Sequence, residues 1–134
     1  MSVSEAIVTK LNATSGVTSA VGNRIFYDQA PEGTAFPMVI FGKQAGTKTR
    51  AFRTPEAFKR EVWMIKCVDR GSSLVTAETV AEAIDTAFDN GTLTVSGKTV
   101  ADIHHTADID FLEPVGDQTY RHHGRSFAVV LTAP

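Results

Sequence analysis

The chain has 134 residues, 43% of them hydrophobic and 21% charged, which fits one globular domain, 1–134, large enough to bury a sizeable core. No segment reaches the roughly 18 uninterrupted apolar residues of a membrane span, the N-terminus lacks a basic region followed by an apolar run, and the lone Cys67 excludes both an intrachain disulfide framework and a multi-cysteine zinc site. The expectation is a protein folded in a reducing cytoplasm, neither secreted nor membrane-embedded, and its net charge of −2 makes no global case for binding nucleic acid or an anionic membrane.

Ser2-Val3-Ser4-Glu5 has the form of a capping box, and Val3, Ile7 and Leu11 then recur at helical spacing. Ser15 supplies a second cap, and Val17, Ala20 and Val21 precede Gly22, enough for about two turns. The N-terminus therefore reads as a short helical hairpin. A short apolar segment, Ile25-Phe26-Tyr27, leads to an Ala30-Pro31-Glu32-Gly33 turn, and Pro37 opens a strand containing Val39, Ile40 and Phe41.

Gly42 to Pro55 is rich in Gly, Thr, Lys and Arg without a period and reads as a long exposed loop or hairpin tip. Phe58 to Val68 alternates in two registers, with Trp63, Ile65 and Cys67 on one face and Phe58, Val62 and Met64 on the other. Both faces are substantially apolar, so cover is expected on both, from helices or from a neighbouring subunit. The clearest helix follows, capped by Ser72 or Ser73, with Leu74, Ala77, Val80, Ala81, Ile84, Ala87 and Phe88 in one stripe and Asn90-Gly91 as its stop.

Thr92 to Val100 reads as a small hairpin about Ser96-Gly97. Two final strands, Ile103 to Leu112 and Thr119 to Leu131, are joined by Glu113 to Gln118; Phe127, Val129 and Leu131 share a face that Arg121, His123 and Arg125 continue outward. The order predicts an α+β fold: a largely antiparallel sheet packed by one long amphipathic helix and a short N-terminal helical hairpin.

Few residues invite a chemical role. His104-His105 and His122-His123 would form a metal or acid/base site only if one histidine from each pair met across the last two strands, with Asp102 or Asp108 as a third ligand. Polar strand residues are the preferred account, and Cys67, grouped with Trp63 and Ile65, reads as a buried inert thiol. Asp108, Asp110 and Glu113 read as a charged outer face, and no phosphate-binding glycine pattern follows Gly42. No catalytic, cofactor-binding or metal site is expected, and the chain is not read as an enzyme.

Charge is segregated. Lys43, Lys48, Arg50, Arg53, Lys59 and Arg60 face only Glu56 within residues 43–60, a local charge of +5, whereas residues 71–120 carry nine acids against Lys98 alone, a local charge of −8. Opposite charge on two surfaces of one subunit favours head-to-tail association. Lys43, Lys48, Arg50 and Arg53 are therefore the candidate contacts to a partner.

Arg24-Ile25-Phe26, the Ala30 to Gly33 turn, the Pro37 to Phe41 strand, the amphipathic helix and the Phe111-Leu112-Glu113-Pro114 step together resemble the tail-completion, or tail-terminator, proteins of long-tailed bacteriophages and prophages. The resemblance spans nearly the whole chain and rests on structural punctuation. It implies a virion neck protein, assembled in the host cytoplasm, that forms a homo-oligomeric ring, typically a hexamer. Such a ring caps the completed tail tube, ends tube polymerisation and forms the head–tail joining interface. The implied partners are the tail tube protein, a head-completion or connector protein, and DNA passing through the lumen without sequence-specific binding; no membrane is implied. Two alternatives remain: a small metal-dependent enzyme using the histidine pairs, and another neck component such as a head-completion or connector protein.

Overall fold

The computed structural model describes residues 2–51, 54–71 and 74–132, with 48–51 and 54–57 described for the backbone alone. Its elements run α1 (Val3–Asn12), α2 (Ser15–Val21), β1 (Ile25–Tyr27), β2 (Met38–Ala51), β3 (Thr54–Arg70), α3 (Val75–Phe88), β4 (Thr99–Val115) and β5 (Gln118–Thr132). The strands form one sheet in the order β1-β2-β3-β5-β4, antiparallel at every junction except the parallel β1–β2 pair. The expected α+β class is what folds.

Local chemistry accounts for the element ends. The Ser2 hydroxyl accepts from the Glu5 N–H at 3.2 Å and donates to the Glu5 carboxylate at 3.1 Å, so the box closes through the two side chains. Ser15 is the first helical residue of α2 and Thr14 its cap position, without a side-chain cap; the Thr14 hydroxyl bonds back to the Lys10 carbonyl at 2.8 Å. Gly33, at φ +83°, sits third in the Pro31–Thr34 turn, the position that demands a left-handed residue. Helix α3 ends through Asn90 at φ +59°. Its expected caps, Ser72 and Ser73, lie outside the described residues.

All three helices lie on one face of the sheet. Val39, Phe41, Trp63, Ile65, Cys67, Ile103, Phe127, Val129 and Leu131 point into the same core as Ile7, Leu11 and Val17 and α3's Val80, Ile84 and Phe88. Burial of this apolar surface is the dominant stabilising term, about 25 cal/mol per Å² removed from water. The opposite face carries Ile40, Val62, Met64, Lys66, His122 and Ser126. No helix covers it among the described residues; only the 28–36 loop crosses one end of it.

One sequence expectation is narrowed and another needs correction. Of the loop and the hairpin tip expected between Gly42 and Pro55, the hairpin is what the described residues show: β2 and β3 run on as a ladder to the pair Ala51↔Thr54, with bulges between Lys43 and Ala45 and between Thr49 and Ala51. Residues 43–47 are all exposed, so no apolar period marks this part of β2. Thr92 to Val100 is no hairpin: a Val95–Lys98 turn leads into β4 at Thr99, with no strand in 92–98. Leu93 is buried, and β4 reaches β5 at once, which leaves that segment no partner strand.

Candidate assembly surfaces

At its basic end the β2–β3 ribbon is anchored by Glu61, a carboxylate only 4% exposed. It accepts from Trp63 Nε1 at 2.9 Å and lies 3.0 Å from Lys59 Nζ and 3.4 Å from Lys43 Nζ. Burial pushes the Glu61 carboxyl upward, yet the hydrogen bonds from Trp63 and Lys59 and the charges of Lys43 and Lys59 outweigh it and hold the group below the ordinary value. Of the four residues expected to make partner contacts, Lys43 is thus held by Glu61. Lys48 and Arg50 are placed on β2 by backbone register, and Arg53 lies outside the described residues.

The histidine pairs stay apart. In the β4–β5 register His104 and His105 face Ala128 and Phe127, while His122 and His123 face Phe111 and Asp110, five residue pairs farther along β5. Each imidazole has a local carboxylate: His104 meets Asp102 at 2.6 Å, His105 meets Asp108 at 2.8 Å, His122 meets Glu113 at 2.8 Å and His123 lies 3.5 Å from Asp110. Among the described residues no three His, Cys, Asp or Glu groups are placed to hold a metal. The two histidine pairs therefore do not form the joint site that the enzyme alternative required. Burial, with Asp69 adding, pushes the Cys67 thiol up to about 12, so it stays protonated and inert at neutral pH.

On the helix-bearing face beyond the end of α3, charges interlock. Arg125 Nε lies 3.4 Å from Asp108 and 3.9 Å from Asp85, and Arg121 donates to Asp110 at 2.9 Å. Of the three acids expected to form a charged outer face, Asp108 and Asp110 each counter a base on β5 here, whereas Glu113 lies on the opposite face beside His122.

On the open face, a cleft of about 590 Å³ lies between the 28–36 loop and the sheet. Its floor includes His122, 8% exposed, whose Nε2 donates to Glu113 and whose ring stacks on Phe111 at 4.4 Å and 10°. Lys66 Nζ lies 5.4 Å from the Phe111 centroid. Burial lowers the His122 pKa; Glu113 opposes and Lys66 adds to the lowering. Burial also lowers that of Lys66, against Glu113. Phe36 stacks on Tyr120 at 5.2 Å, with the Arg70 guanidinium 5.1 Å from the Phe36 ring. Sequence reading missed this cluster because its members come from four separated segments; only the i, i+2 alternation of Tyr120 and His122 hinted at it.

Large apolar side chains remain exposed at both ends of the long strands: Phe58 at 50%, and Phe111, Leu112 and Val115 at 44–52%.

No curated protein matches the chain. Among solved structures, a chain of the virion of a native gene transfer agent particle superposes with a TM-score of 0.73 at 17% identity, covering 97% of this chain and 95% of that one. A second solved chain gives a TM-score of 0.58 at 17% identity, covering 98% and 93%. These likenesses establish a shared fold. The family model described as tail completion protein gp17 matches residues 5–130, and the chain belongs to that family, as a bacteriophage virion structural protein of the tail.

Proposed function

We propose that this protein closes the finished tail tube as a homo-oligomeric ring, most simply a hexamer, stops tube growth and offers the surface to which the head joins. The observation that carries the reading is the tail-completion family match across residues 5–130. The fold likeness to a chain of a gene transfer agent virion supports it. So does the absence of a helix cover on one sheet face among the described residues, together with exposed apolar residues at the strand ends. The tube protein and a head-completion or connector protein are the partners, and DNA crosses the lumen without base recognition.

Native mass spectrometry of the protein alone and with purified tail tubes, combined with electron microscopy of the tube ends, tests this. The expected result is a closed ring, free or formed on the tube end. A strict monomer that never associates with tube ends contradicts it, and recovery with heads when tails are absent reassigns the protein to the head side of the neck.

A further inference from the structure

Along an antiparallel ladder, alternate residues turn their backbone N–H and C=O toward one neighbour and the residues between turn toward the other. On β2 the outward set includes Val39, whose N–H donates to the Arg24 carbonyl at 2.9 Å, and Phe41, whose carbonyl accepts from Asp28 at 2.8 Å. Counted through their β3 partners Cys67 and Ile65, the set continues at Trp63, Glu61 and Lys59, and hence at Lys43, Gly46 and Lys48 on β2. Strand β1 ends at Tyr27, opposite Phe41, so no strand among the described residues pairs with this part of the edge.

The other long edge of the sheet is β4. Its outward set includes Ile103, whose carbonyl accepts from the Asn90 N–H at 2.8 Å, and His105, whose N–H donates to Asp89 Oδ1 at 2.9 Å. Counted through Val129 and Phe127 on β5, the set continues opposite Arg125, His123 and Arg121, at Asp108, Asp110 and Leu112. Pro114 follows in the same set and has no N–H, which closes the stretch. The outward backbone of one edge therefore carries two lysines, and that of the other carries two aspartates and a half-exposed leucine.

Residues of one set also share a sheet face, so both lie on the helix-bearing side with Phe41 and Ile103. The chain directions agree as well. β2 is antiparallel to β3, β3 to β5 and β5 to β4, so β2 and β4 run oppositely, and side-by-side copies in one orientation bring them together antiparallel. We propose that β4 of one copy adds to the edge of β2 beyond β1 in the next copy, with Asp108 and Asp110 lying within the span from Lys43 to Lys48, Asp108 toward Lys48 and Asp110 toward Lys43, so that the subunits share one continuous sheet. This deepens the ring reading and rests on it.

The occupied β1 position fixes the geometry further. Lys43 stands level with His105 across the sheet, so Asp108 and Asp110 reach the free part of β2 only if neighbouring copies are offset along the strands. The offset is about four to six residues, on the order of 13–20 Å at roughly 3.3 Å per residue. A stagger of this kind is what closing a sheet into a barrel requires.

The test reads backbone and charge separately. Hydrogen exchange of the wild-type protein, free and in rings on tube ends, is expected to slow at least about tenfold on assembly at Lys43, Gly46, Asp108, Asp110 and Leu112. Lys48→Glu and Asp108→Lys are each expected to lower ring formation at least about tenfold at low salt, and less at high salt. Combined in one chain, they restore it to within about twofold, because a head-to-tail contact swaps its charges intact. Rings whose edge amides exchange as fast as in the free protein overturn the strand pairing and leave the ring reading standing. A wild-type protein that forms no ring overturns both.

Discussion

At the scale of single residues, each face of the sheet carries a buried polar group whose protonation is directional, His122 on the open face and Glu61 on the helix-bearing one. His122 titrates below its ordinary value of about 6.5 because burial disfavours the imidazolium, so between that value and the folded one the unfolded chain binds more protons. Stability should therefore fall as pH drops from about 7 through this window and level off below the folded value. Replacing His122 by Phe should flatten that part of the profile, read from denaturant midpoints across the pH range; an unchanged slope would assign it to other groups. Glu61 carries the opposite signature. Its folded pKa lies below the ordinary carboxylate value, so its contribution is present above about pH 4.5 and is lost as pH falls through the folded value. Glu61→Ala leaves Trp63 Nε1 without its acceptor and should cost about 1–3 kcal/mol. Gly124 is a packing requirement, since a Cβ there would collide with the Ile65 carbonyl and the Lys66 backbone of β3. Gly124→Ala should destabilise by about 1–3 kcal/mol in equilibrium unfolding. None of these roles was legible in the sequence. Glu61 there is one acid among basic neighbours, and Gly124 one glycine after two histidines.

At the scale of elements, α3 is the lid of the core, and its stripe of Ala77, Val80, Ala81, Ile84 and Phe88 is fully buried against the sheet. Phe88 meets Phe127 at 5.7 Å, joining helix to β5. Phe88→Ala should cost about 3–5 kcal/mol, measured by thermal or denaturant unfolding; a cost below about 1 kcal/mol would mean the helix is not what seals the core. This helix was legible because 14 residues of 3.6 periodicity leave one reading. The same was true of β3, whose alternation around Trp63, Ile65 and Cys67 is the buried face itself. The ribbon from Gly42 to Pro55 was legible only as a loop or hairpin tip, because the exposed residues 43–47 have no hydrophobic period to read, and its two bulges break what alternation there is. The histidine geometry also lay beyond the sequence: whether two pairs meet depends on register, and the turn at Gly116-Asp117 places them five residue pairs apart.

At the scale of the whole molecule, several features left after core packing bear on association. The sheet is bare of helices on one face among the described residues, its long edges carry opposite charges, and apolar side chains stay exposed at the strand ends. The segregation of basic and acidic segments was readable along the chain. The sheet order turns that linear fact into two opposed edges, with Lys43 and Lys48 on one and Asp108 and Asp110 on the other. Family membership gives the tail role. The central claim, that the protein ends tube growth as a ring, is tested most directly by polymerising purified tube protein with and without it and imaging the products by electron microscopy. A ring on one end of each tube, and no further lengthening once it is bound, are expected. Tubes that bear no added density and continue to grow at an unchanged rate would contradict it.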